Sequence, residues 1–287
     1  MKSLRMYAIA VPALALASLA AVAAGQSDWQ KAYPVSGKPS VSVTTGDSSV
    51  EVRSCGCQEV RIRVQWNDRR PDEYTLNELQ SGSHVSFELR EKPQHFGIHM
   101  GNHREPHVFV ETPSELDLEA RTSDGSLKVY GLNGGIALRT SDGSVDVSDV
   151  TGAIRLVASD GSIRMHNVSG TLESRSSDGH VSIDGKLSGV QVHTSDGGLE
   201  LTLDEGSQLT TSSRIEASDG SVRIRLPKTL AADVDIHTGD GHIDCQLPLT
   251  MNGYNSGGGH NIRGHLNNGG TPLTIHTSDG NVSIVAL

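Results

Sequence analysis

The sequence predicts an all-β protein, a β-solenoid (β-helix) of 18-residue coils with irregular N- and C-terminal coils. Three observations carry that expectation. Ser-Asp-Gly recurs at Asp124, Asp142, Asp160, Asp178 and Asp196, each 18 residues after the one before. Apolar residues keep register with it: Leu127/Val129, Val145/Val147, Ile163/Met165, Val181/Ile183 and Leu199/Leu201 stand three and five residues after each aspartate. Outward positions also alternate in sign through Lys128, Asp146 and Arg164, as suits like positions stacked one strand spacing apart, ~4.8 Å. A fixed period matters because one short unit cannot bury its own inward residues, whereas stacked copies bury a continuous stripe.

Taken in order, residues 1–25 read as a secretory signal. Lys2 and Arg5 precede an apolar run at 8–19, and small residues at 21–25 suit cleavage. An uncleaved anchor over 6–24 is the competing reading, which Pro12 and the run of alanines disfavour. The expected address is outside the cytoplasm, periplasmic or secreted or at the cell surface, with no membrane span once the signal is removed. Residues 26–39 read as a polar lead-in. Residues 40–114 form an N-terminal β region: alternating strands at 40–64, a break at 66–71, a strand at 83–90 and a His-rich loop at 91–106. Residues 115–287 hold the solenoid repeats, strict as far as 203, with looser copies at Asp219, Asp240 and Asp279 and a Gly-rich insertion at 251–270. Thr45-Gly46-Asp47-Ser48-Ser49-Val50 looks like an early copy.

Each strict unit reads as two short strands of period two separated by two turns. At the first turn the aspartate is expected to accept hydrogen bonds from amides just ahead of it. Gly125, Gly143, Gly161, Gly179 and Gly197 are expected to supply positive φ. Gly134, Gly152 and Gly170 mark the second corner, where the fourth copy has Ser188. Arg155 and Glu173 fall on neighbouring coils, a cross-strand pair of the kind that contributes ~0.2–1 kcal/mol. A β-sandwich of hairpins shares the turns but does not need the constant period.

Aromatic residues make up 3% of the 287-residue chain and there are 32 glycines, so the core must be built from small aliphatics. The formal charge is −10, or −12 without Lys2 and Arg5. That balance argues against nucleic acid as a partner, because phosphate binding relies on Lys and Arg. Three cysteines are too few for a disulfide scaffold.

The repeats resemble the bacterial putative-adhesin family, a β-solenoid family found in cell-envelope proteins. The likeness runs from 41–52 through Val60-Arg61-Ile62-Arg63-Val64 and His107-Val108-Phe109-Val110-Glu111-Thr112-Pro113. It continues through the Ser-Asp-Gly copies to Ile262-Arg263-Gly264-His265-Leu266 and the closing stretch at 273–284. The resemblance implies a fold and an envelope setting, and brings no catalytic residues or cofactor.

Four features are candidate sites. The aspartate ladder invites calcium, which favours clustered oxygens. Against this stand turn amides and the cations Arg121, Arg139, Arg175 and His193, three residues upstream of aspartates, and the Gly-Gly-x-Gly-x-Asp pattern of calcium β-rolls is missing. His95, His99, His103 and His107 recur every four residues. In an extended segment they lie ~13 Å apart, so zinc or copper would need a loop that gathers them; a polar surface loop is the plainer reading. Cys55, Cys57 and Cys245 leave more than one pairing open. Residues 253–270 lack the Gly-Lys-Ser/Thr of a phosphate loop.

The function this supports is a non-catalytic envelope solenoid, an adhesin or scaffold that presents a repetitive surface to an unknown envelope or surface partner. The alternative is a polysaccharide-degrading β-helix enzyme, which needs one specific carboxylate pair, and none stands out. A third reading is a protective surface built on the partial ladder Thr122, Thr140, Ser176 and Thr194, interrupted by Ala158.

Overall fold

The computed structural model describes residues 28–93, 104–250 and 260–287. The leader and His95, His99 and His103 lie outside them. Among the described residues almost all regular structure is β: 22 strands and one short 3-10 turn at Pro71–Glu73. Residues alternate between buried and exposed along the strands, as expected where one face of a sheet meets a core.

The strands form two parallel ladders. In the first, Val85, Val41, Leu118, Ile136, Ile154, Leu172 and Val190 stand one above the next. In the second, the column is Val108, Val50, Leu127, Val145, Ile163, Val181, Leu199, Val222, Val282 and Ile243. All of these side chains are buried, and full burial of each such aliphatic is worth ~1.5–3 kcal/mol. From Asn133 to Arg175 the paired residues are 18 apart, as in Ile136 with Ile154 and Val145 with Ile163. The pairing there is parallel, so these segments are not hairpins. Ile163–Ser176 and Val181–Thr194 run through the corner and join both ladders.

The order of rungs departs from the order of sequence at both ends. Ser40–Thr45 lies between His84–Glu91 and Asp117–Arg121, and Ser49–Cys55 between His107–Pro113 and Leu127–Tyr130. Described strands of the N-terminal β region therefore lie in the same two ladders as the repeats. At the other end Pro272–Thr277 inserts between Ser213–Ala217 and Ala232–Thr238. Val282–Ala286 likewise sits between Val222–Leu226 and Ile243–Cys245.

Antiparallel strands cover the ends. Tyr74–Ser81 pairs with His84–Glu91, and Asn261–Leu266 with Ala232–Thr238. Glu59–Gln65 pairs with His107–Pro113 and in turn carries Trp29–Pro34. Six residues of the polar lead-in, Trp29–Pro34, form a strand whose Tyr33 is buried. Every described Trp, Tyr and Phe lies between Trp29 and Tyr130. Trp29 packs on Phe87 and Trp66 on Tyr74, so the rings close one end of an otherwise aliphatic core.

Candidate binding surface

The aspartate ladder occupies one edge of the stack, but not in the predicted manner. Asp124, Asp142, Asp160, Asp178 and Asp196 are exposed. Among the described residues their carboxylates make no hydrogen bond or ion pair, so they do not cap their own turns. The turn is held by main-chain bonds between rungs: the amides of Ser141 and Asp142 both donate to the Ser123 carbonyl, and those of Ser159 and Asp160 to Ser141. It is also held from inside. Thr122 Oγ1 accepts from the Gly125 amide at 3.2 Å, Thr140 Oγ1 from Gly143 at 3.2 Å, and Thr238 Oγ1 from Gly241 at 3.0 Å.

The glycine role is also corrected. Positive φ is absent at Gly125, Gly143, Gly161, Gly179 and Gly197, and is found instead at Gly131, Asp149 and Asn167, one corner later. What the Ser-Asp-Gly glycines supply is room. A Cβ on Gly161 would lie 2.0 Å from the Gly143 carbonyl oxygen, and one on Gly179 2.1 Å from that of Gly161. At the later corner Asn167 Nδ2 donates to Asp149 Oδ1 at 2.6 Å, a polar link between rungs.

Three of the four cations upstream of the ladder turn to other partners. Arg121 pairs with Glu119, Arg175 with Glu173 and His193 with Glu216. Asp47, at the start of the ladder, has its carboxyl pushed up by burial and then by repulsion from Asp124. Thr122, Thr140, Ser176 and Thr194 are all buried, which overturns the reading of that ladder as a protective surface. On the outer faces, Arg164 meets Asp146 at 3.6 Å and Arg155 meets Glu173 at 3.3 Å.

Among the described residues no group of three or more His, Cys, Asp or Glu is placed to hold a metal ion. His107, the one described member of the histidine series, stacks on Phe109 with centroids 4.1 Å apart. Burial holds its imidazole below the usual histidine range. Cys55 and Cys57 form a disulfide, and Cys245 is a free, partly buried thiol whose pKa burial raises.

One concavity was not visible in the sequence. A cleft of about 550 Å³ lies on the outer face of the second ladder near its aromatic end, lined by Lys31, Arg53, Arg61, Arg63, Glu51 and Phe109 among others. Four neighbouring strands, Trp29–Pro34, Glu59–Gln65, His107–Pro113 and Ser49–Cys55, each contribute an outward position. Glu51 is almost fully buried and is ion-paired with Arg53. The only sequence hints were the alternations Glu51-x-Arg53 and Arg61-x-Arg63.

Residues 39–285 match the family model described as Toastrack DUF4097. The chain belongs to the Toastrack DUF4097 family. That membership agrees with the resemblance read from the repeats. Similar solved structures include a "putative cell adhesion protein" from Clostridium sporogenes, at 11% identity and TM-score 0.33, covering 91% of this chain and 100% of that one. A "putative adhesin" from Bacteroides fragilis aligns at 8% identity and TM-score 0.41, covering 91% and 98%. A "putative lipid binding protein" from Parabacteroides distasonis aligns at 11% and 0.35, covering 91% and 97%. No curated protein matches the chain. Among the described residues of this Toastrack chain, no helix is long and apolar enough to cross a membrane.

Proposed function

We propose that the chain is an exported, non-catalytic β-solenoid of 18-residue coils that serves as an adhesin or scaffold in the cell envelope. The observation that carries this reading is the repetition of outward positions in register along both ladders, with the exposed aspartates from Asp124 to Asp196 along one edge. Such a surface offers the same contact many times, whereas catalysis needs one singular constellation. The basic n-region and apolar run at 1–25 support export. The family supports the fold, and function is argued from the surface rather than transferred from the fold.

The test has two parts. Fractionation of bacteria that express the full chain should find it processed and outside the cytoplasm; an unprocessed cytoplasmic product would refute export. Incubation with uronate-containing and neutral polysaccharides should release no new reducing ends. Turnover abolished by one acidic substitution would establish the polysaccharide-degrading alternative instead.

A further inference from the structure

The cleft on the second ladder is built around guanidinium groups. Its lining holds four cations, Lys31, Arg53, Arg61 and Arg63, against two carboxylates, Glu51 and Glu111, in a chain whose formal charge is −10. Neighbouring acids engage most of these cations: Glu78 holds Lys31, Glu59 and Glu111 hold Arg61, and Glu51 holds Arg53. Arg63 is the most loosely engaged. Its ion pair with Asp28 spans 3.8 Å, too long for a hydrogen bond, and its side chain is 48% exposed.

Arg63 is nonetheless held in place. Its guanidinium lies 4.5 Å from the Phe109 ring centroid, and Phe109 in turn stacks on the half-buried His107 ring with an interplanar angle of 12°. The cross-strand register sets Arg63 opposite Phe109, with Glu51 beside Phe109 on the next strand. Arg53 is backed in the same way by Tyr130 at 5.0 Å. An aromatic-backed guanidinium with unused N–H donors is suited to two parallel hydrogen bonds with a planar oxyanion.

We propose that this cleft binds a small acidic sugar, a mono- or disaccharide unit carrying a single carboxylate, with Arg63 as the fork that takes the anionic group. The volume falls within the ~300–1,000 Å³ typical of small-molecule sites. The strongly negative chain disfavours densely charged polymers, which leaves sparsely charged ligands. Gln30 and Glu111 line the same cleft and offer acceptors for sugar hydroxyls. Leu79 and Leu287 are the only large apolar side chains exposed among the described residues, and neither lines the cleft, which argues against a lipid tail. The inference rests on the non-catalytic reading above and names a ligand for it.

The test is calorimetric titration of the purified mature chain with glucuronate, galactose 6-sulfate, glucose and inorganic sulfate. Glucuronate should bind, and glucose should bind at least 10-fold more weakly. Arg63→Gln should weaken glucuronate at least 10-fold with an unchanged Tm, Arg63→Lys should recover only part of the loss, and Arg164→Gln on a distant rung should change nothing. Equal binding by Arg63→Gln, equal affinity for glucose, or no binding of glucuronate would each overturn the proposal. Tighter binding of galactose 6-sulfate or free sulfate than of glucuronate would overturn the carboxylate assignment. Any of these results in a chain that is still exported and without turnover leaves the scaffold reading standing, so the two fail separately.

Discussion

At Ser-Asp-Gly the residue that draws the eye and the residue that bears the constraint are different. The Asp160 carboxylate faces solvent, so Asp160→Ala should shift stability by no more than ~0.5 kcal/mol, as surface changes usually do. Gly161 lies against the Gly143 carbonyl, and Gly161→Ala should cost at least ~2 kcal/mol because the rungs must separate to admit a methyl group. Thr140→Ala, which removes a buried hydroxyl bonded to the Gly143 amide and the Ser123 carbonyl, should fall between them at ~1 kcal/mol. Urea melts of the three variants check that order.

His107 adds a pH dependence whose sign follows from its surroundings. Burial is the main cause of its lowered pKa, opposed by Glu51 and assisted by Lys128 and Arg63. The unfolded chain therefore binds the proton more readily than the folded one. The stability contributed by neutral His107 is complete above the ordinary histidine pKa of ~6.5 and is lost as pH falls toward the folded value. Thermal melts across this range should show a decline in the native chain that His107→Phe lacks. An identical pH profile in the variant would show that His107 is not the titrating group.

Along the strands, period-two alternation made most elements and their inward faces legible, because a half-buried strand must alternate. Trp29–Pro34 escaped notice because a covering strand at the edge buries little besides Tyr33. The turn mechanism was misread for a related reason: the periodic Asp and Gly locate the corner, but which backbone needs positive φ depends on three-dimensional curvature. Ser174 is a local exception within the apolar columns. It lies between Leu156 and Val192 in register, is 1% exposed, and its hydroxyl has no hydrogen-bond partner. Ser174→Ala should therefore stabilise the chain by ~1 kcal/mol, since an unpaired buried hydroxyl is unfavourable. Differential scanning calorimetry would register this as a raised Tm.

For the molecule as a whole, the sequence displays the rungs but not their order. The copy around Asp279 carries the same Ser-Asp-Gly signal as the others, so its edges fit any rung, and nothing in an 18-residue period marks it for insertion between Ser213–Ala217 and Ala232–Thr238. The cleft was hidden for a similar reason, its lining being drawn from four separated segments between residues 30 and 111. Removal of 272–287 should leave Ala232–Thr238 and Ile243–Cys245 without their parallel neighbours. Circular dichroism and limited proteolysis should then find 227–250 cleaved rapidly while the aromatic end stays intact. Uniform loss of structure would show instead that the stack unfolds as one unit.

The late-arriving wedge has a consequence for biosynthesis. A ribosome or export channel delivers residues 232–245 before 272–286, yet the later segment must lie beneath the earlier one. The nascent chain consequently waits with an open slot beside 232–245, a sticky template for a neighbouring copy, until 272–286 emerges and slides home.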